Sequence, residues 1–137
     1  MGAVRVVSWV VLGSVLLVSG GLKSLDAEGT VIATAAYDIL PAWMAFLLGA
    51  VLPALEVVLG AALLTGWQRR AAATWAVVLG VVFGVANSCA LLRGLVVDCQ
   101  CFGGVAGSSV ATSLWIDCGI IAMGLLASRQ SVDSSKP

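Results

Sequence analysis

Residues 43–64 read WMAFLLGAVLPALEVVLGAALL, and Glu56 is the only charged side chain in that run. At about 1.5 Å per residue such a stretch crosses the roughly 30 Å hydrocarbon core of a bilayer as one α-helix. Gly49, Pro53, Glu56 and Gly60 recur at intervals of four, three and four, so they share a helical face. Small residues on that face let a neighbouring helix approach closely. Pro53 has no N–H to donate, which predicts a kink and a freed carbonyl. Glu56 falls near mid-membrane, where insertion scales charge several kcal/mol for an ionised carboxylate, about 2.5–3.5 for Asp. It must therefore be protonated, paired with a polar neighbour, or turned toward a wet cavity.

Three further apolar runs flank this one: Val6 to Leu22, Ala71 to Leu92, and Val110 to Ala127. The first has Arg5 before it and the small residues Ser19, Gly20 and Gly21 at its end, which is also the plan of a signal peptide. The membrane-embedded remainder favours a retained helix, since nothing soluble awaits export. The third run carries Gly80 and Gly84 in a GxxxG spacing with Asn87 next on the same face, which speaks of helix packing. The fourth contains Asp117 and Cys118. The expected fold is all-α, a four-helix transmembrane bundle running up and down. It forms a single domain over residues 1–127, with a disordered tail at 128–137. A short interfacial helix is expected around Val31 to Tyr37. Tyr37, Trp43 and most of the other tryptophans suit the headgroup zone.

Composition agrees. Apolar residues make up 61% of the 137 and charged residues 10%, against about 25% charged in a soluble domain. Such a chain cannot clothe a water-facing surface, so its solvent is a lipid bilayer. The formal net charge of zero gives no reason to expect a nucleic-acid partner. There is no histidine, which removes the commonest general base and a common metal ligand.

The longest polar break in the second half holds Cys99-Gln100-Cys101-Phe102-Gly103-Gly104, followed by Gly107, Ser108 and Ser109. Small residues in this density favour turns. Cys99 and Cys101 are candidate catalytic thiols. A disulfide across a single intervening residue fits standard geometry poorly, and strained exposed disulfides are the labile ones. Arg93 favours a thiolate there and Asp98 opposes it. A structural disulfide and a metal site are the other readings of this pair. Cys89 and Cys118 lie inside apolar runs, as small apolar filler or as a relay from the loop thiols.

Glu56 and Asp117 are the intramembrane polar residues that need a partner or a role. Lys23, Asp26 and Arg93, with Asp117, form a candidate charge cluster near one face, the bland alternative being solvated helix-end charges. Basic residues set orientation. One side collects Arg5, Arg69, Arg70, Arg129 and Lys136, while the other has only Lys23 and Arg93. Both termini are expected to be cytoplasmic and the thiol loop extracytoplasmic, where disulfides form.

Several stretches in order carry a resemblance: Gly21-Leu22-Lys23-Ser24-Leu25-Asp26, Tyr37-Asp38-Ile39-Leu40-Pro41, Leu52-Pro53-Ala54-Leu55-Glu56, Arg93-Gly94 and Cys99-Gln100-Cys101-Phe102-Gly103. Together they resemble the methylamine utilisation MauE family, within the DoxX-like group of four-helix membrane proteins. The resemblance implies residence in a bacterial-type plasma (inner) membrane. It also implies a thioredoxin-like extracytoplasmic partner and a part in disulfide formation or maturation of exported proteins. In the namesake system the client is the disulfide-rich small subunit of methylamine dehydrogenase. Gln100 stands where the family pattern leads one to expect Gly, and the pair Cys89 and Cys118 is additional.

Two other functions fit parts of the pattern. A quinone-coupled disulfide oxidase would place Cys89 and Cys118 near a quinone cofactor, although it lacks a CxxC. A soft-metal carrier would use the paired thiols for Cu(I) or mercuric ions, with Glu56 lining the path. No resident metal site is assigned from the residues.

Overall fold

The computed structural model describes residues 2–95 and 110–129. Five α-helices follow in order: α1 (Gly2–Leu25), α2 (Ala27–Ala36), α3 (Ala42–Thr65), α4 (Arg69–Leu92) and α5 (Val110–Arg129). Four of them, all but α2, are long and apolar enough to span a membrane. Helix α5 continues two residues beyond the expected end at Ala127. The remainder of the expected tail, residues 130–137, lies outside the described residues, as does the loop bearing Cys99 and Cys101.

Local chemistry explains the breaks. Asp26 ends the first span and caps α2, its carboxylate accepting from the Gly29 amide at 3.1 Å. A carboxylate there satisfies an orphan N–H and complements the helix dipole. A short helix is present where one was expected at Val31 to Tyr37, running from Ala27 to Ala36 with Tyr37 as its C-cap. Pro41 sits at the N-cap of α3, extended at φ −61° and ψ 149°, a conformation its ring favours. Helix α3 ends on Gly66, whose φ of 89° lets its amide return to the Ala62 carbonyl, a left-handed cap that glycine takes without steric cost. Helix α3 is continuous through Pro53.

The spanning helices form a ring in which α1 packs on α3, α3 on α4, α4 on α5, and α5 back on α1. Gly13 lies beside Gly60 and Leu64, while Gly20 lies beside Pro53 and Glu56, so α1 and α3 are antiparallel. Gly124 meets Ala73 and Val77, while Gly80 meets Ile120 and Ile121, so α4 and α5 are antiparallel as well. This is the up-down bundle expected from the sequence. The face Gly49, Pro53, Glu56 and Gly60 is buried throughout. It serves two neighbours, since Gly49 meets Val31 of α2 and the other three face α1.

The core is Trp9, Leu12, Leu16, Leu59 and Leu63 with the alanines and Leu79 of α4, closed by Ala127. Trp9 departs from the expectation of interfacial tryptophans. It is only 6% exposed and its ring is flanked by the guanidinium groups of Arg5 at 4.5 Å and Arg69 at 4.4 Å. Two cation–π contacts let the indole close the core at the end opposite α2. Trp43, Trp67, Trp75 and Trp115 are exposed. Outward faces carry Phe46, Leu47, Val51, Val58, Val82 and Val85, all exposed, which suits contact with lipid tails rather than water.

Candidate functional site

The polar residues of the bundle gather in the half nearer α2. On α1, the buried positions Leu12, Leu16, Ser19 and Lys23 follow one another at helical spacing, so the apolar stripe becomes polar as it climbs. Lys23 lies near the C-terminus of α1, and its ammonium turns inward to meet Glu56 Oε1 at 2.7 Å. Ser19 donates to the other oxygen, Oε2, at 3.1 Å. The side chains of Lys23 and Glu56 are 10% and 3% exposed. A buried pair of this kind holds only with close geometry and further hydrogen bonds. The Lys23 ammonium also sits 4.9 Å from the centre of the Phe83 ring, and the Lys23 carbonyl accepts from Thr30 Oγ1 at 3.2 Å. Of the three states expected for Glu56, pairing is the one found.

A second polar chain links α2, α4 and α5. Tyr37 donates its hydroxyl to Asn87 Oδ1 at 2.7 Å. Asn87 donates through Nδ2 to Asp117 Oδ2 at 2.7 Å. Asn87 is 1% exposed and Asp117 3%. An amide can accept at one end while donating at the other, so Asn87 connects the end of α2 to a buried carboxylate on α5. Between the two polar chains is a cavity of about 40 Å³, lined by Ser19, Lys23, Glu56, Phe83 and Asp117 among others. It is large enough for a water molecule, which needs roughly 10–15 Å³ and two to four polar partners.

The charge cluster named from the sequence separates into individual pairs. Lys23 goes to Glu56. Asp26, exposed, caps α2. Arg93 donates to the Tyr37 and Asp38 carbonyls at 3.1 and 3.2 Å, with the Asp38 carboxylate 3.6 Å away. That last ion pair is exposed, and exposed pairs contribute about 0–1 kcal/mol. Arg93 thus ties the C-terminus of α4 to the α2–α3 turn.

Cys89 and Cys118 are both free thiols. Cys89 is half-buried, and Cys118 is exposed although its neighbour Asp117 is buried. Consecutive helical residues point about 100° apart, which accounts for the contrast. Cys99 and Cys101 lie outside the described residues. Ser19 and the Lys23–Glu56 pairing went unread in the sequence, although the buried stripe on α1 that ends in Ser19 and Lys23 was a usable signal.

A larger cavity, about 450 Å³, lies between α2 and α4 over Leu48 and Leu52 of α3, and Lys23, Tyr37, Phe83 and Cys89 line it.

Four spanning helices, each carrying or contacting buried polar groups, define a multi-pass membrane protein with a polar interior on the α2 side. The chain belongs to the MauE family: the family model described as methylamine utilisation protein MauE matches residues 1–129. No curated protein and no solved structure matches it.

Proposed function

We propose that this protein is the membrane component of a thiol–disulfide exchange system. Cys99 and Cys101 are its working pair and an extracytoplasmic thioredoxin-like protein is its partner, in support of disulfide formation or maturation of exported proteins. The observation that carries this reading is the placement of two thiols one residue apart in the α4–α5 connection of a MauE family chain. In the exchange, a thiolate of one protein attacks a disulfide sulfur of the other. A mixed disulfide forms and the second sulfur leaves as thiolate. The remaining thiol of the attacking pair then resolves the mixed disulfide. No other oxidant is needed for that step, and the relative potentials of the two pairs set its direction.

The orientation proposed is that of a bacterial plasma membrane protein with both termini cytoplasmic. Arg5 and Arg69 gather on Trp9 at the end opposite α2. Lys23 and Arg93, toward the α2 end, are each held by a carboxylate. The positive-inside rule counts Lys and Arg, and five of the seven, Arg5, Arg69, Arg70, Arg129 and Lys136, fall by sequence on the side of Arg5 and Arg69, which supports a cytoplasmic place for that side.

The test is partner capture. Cys101→Ser is expected to accumulate a dithiothreitol-sensitive covalent adduct with a thioredoxin-like protein, and Cys99→Ser to do so if the attacking thiol is the other one. The double variant should form none. If neither single variant is trapped and the double variant still supports client disulfide formation, the reading is wrong.

A further inference from the structure

The cavity of about 450 Å³ between α2 and α4 plays no part in the exchange chemistry above. Its volume falls in the range of small-molecule sites, roughly 300–1,000 Å³. Its rim carries Ile39, Leu40, Leu48, Val81, Val82 and Val85, all six exposed, and Leu48 and the three valines belong to the spanning helices α3 and α4. The mouth therefore opens sideways, toward acyl chains, and a ligand would enter from the membrane. Deeper in, the walls include Ala33, Phe83 and Ala86.

Few polar groups face this space, and most are already engaged. Thr30 donates its hydroxyl to the Asp26 carbonyl at 2.9 Å and Thr34 donates to the Thr30 carbonyl at 2.8 Å. Tyr37 donates to Asn87. The Lys23 ammonium has three N–H donors, of which Glu56 Oε1 takes one. Lys23 lines both this cavity and the small one it shares with Glu56, so its remaining N–H groups are the donors this wall can give an incoming acceptor. The cavity offers no net charge, because Glu56 already balances Lys23. A carboxylate or phosphate brought here would be an uncompensated charge in apolar surroundings. A neutral carbonyl oxygen meets the donor at far smaller desolvation cost. The Phe83 ring, close to the ammonium, and the Tyr37 ring favour a flat head.

We propose that this cavity binds a membrane-soluble quinone. A ring carbonyl accepts from Lys23 Nζ, the ring lies among Phe83 and Tyr37, and the tail leaves through the valine-lined mouth. The proposal concerns binding alone, so it stands or falls separately from the thiol-exchange reading.

The full chain in phosphatidylcholine nanodiscs is titrated with a fully substituted benzoquinone carrying a ten-carbon tail, and bound quinone is measured after extraction. Saturable binding near one per chain is expected. Ala33→Phe fills the cavity while leaving Lys23 and Glu56 in place, and should abolish saturable binding with unchanged helicity by circular dichroism. Lys23→Met should weaken binding about tenfold through loss of the charged donor. In a Cys99→Ser, Cys101→Ser, Cys118→Ser background, bound quinone should slow alkylation of Cys89 by a membrane-permeant maleimide. Three outcomes overturn the proposal: no saturable quinone binding above phospholipid, undiminished binding by folded Ala33→Phe, or protection of Cys89 by phospholipid with none added by quinone.

Discussion

The α1–α3 and α4–α5 pairs solve the same problem with different chemistry. Each pair brings two spanning helices together over glycine and buries a polar contact in the half nearer α2. In α1–α3 the contact is a full ion pair, Lys23 with Glu56, completed by Ser19. In α4–α5 it joins an amide to a carboxylate, Asn87 with Asp117, and runs on to Tyr37. The glycine contacts differ too. A Cβ on Gly60 would meet the Gly13 carbonyl oxygen and the Leu17 nitrogen, both at 2.8 Å. A Cβ on Gly124 would first meet the Val77 Cγ2 atom at 2.5 Å, with the nearest backbone atom at 3.4 Å. The first interface is backbone against backbone and cannot yield. The second is backbone against side chain and has room to adjust. Helices α1 and α3 form a closed, charged-paired seam, while α4 and α5 carry a polar chain that reaches the end of the bundle beside the larger cavity.

The largest effect expected from this contrast is at Glu56. Glu56→Leu leaves Lys23 as a buried cation without its carboxylate and should cost about 3–5 kcal/mol, by the precedent of broken buried pairs. Chemical unfolding in micelles measures it. Lys23→Met combined with Glu56→Leu should recover most of that loss, since an apolar replacement of both partners is often neutral. If the double variant is as unstable as the single one, the seam depends on packing and not on the pair.

Next comes the glycine comparison. Gly60→Ala should destabilise by about 1–3 kcal/mol, the usual range for overpacking, and Gly124→Ala by less, because the atom in its way belongs to a half-buried side chain, Val77, and no backbone atom comes closer than 3.4 Å. Equal losses in the same unfolding measurement would erase the distinction between a rigid seam and an adjustable one.

The smallest effect is expected at Asn87. Asn87→Leu removes the link between Tyr37 and Asp117 and should cost about 1–2 kcal/mol, within the range for losing buried hydrogen-bond partners. Hydrogen exchange should show the loosening at the end of α2, where Tyr37 is held, more than in α1. A loss spread evenly over the bundle would mean that the chain from Tyr37 to Asp117 is not a local tie.

Much of this arrangement was legible in the chain. Length and apolarity mark each span because the requirement for about 20 apolar residues is local. Glu56 announces itself because the desolvation of a carboxylate is a property of its own surroundings. The glycine face of α3 follows from helical periodicity alone. Trp9 could not be placed from the sequence, since an indole near a helix end ordinarily sits at the interface and only the arrival of Arg69 from another helix makes a buried place for it. Lys23 was similarly ambiguous. A lysine near the end of a span can snorkel outward, and although its spacing lines it up with Leu12, Leu16 and Ser19, nothing within α1 says which carboxylate it meets.

The sequence by itself determined that this protein crosses a bilayer with four helices, that its carboxylates within them need partners, and that Cys99 and Cys101 fall between the last two spans. The tertiary structure alone decided which partners those are. Lys23 and Glu56 stand 33 residues apart, Asn87 and Asp117 30 apart, and Tyr37 and Asn87 50 apart. Helix periodicity ranks the residues that share a face but carries no information about which other helix that face will meet. That depends on how the glycine surfaces of the helices fit together and where α2 comes to rest, and the cavity between α2 and α4 exists only once they have packed.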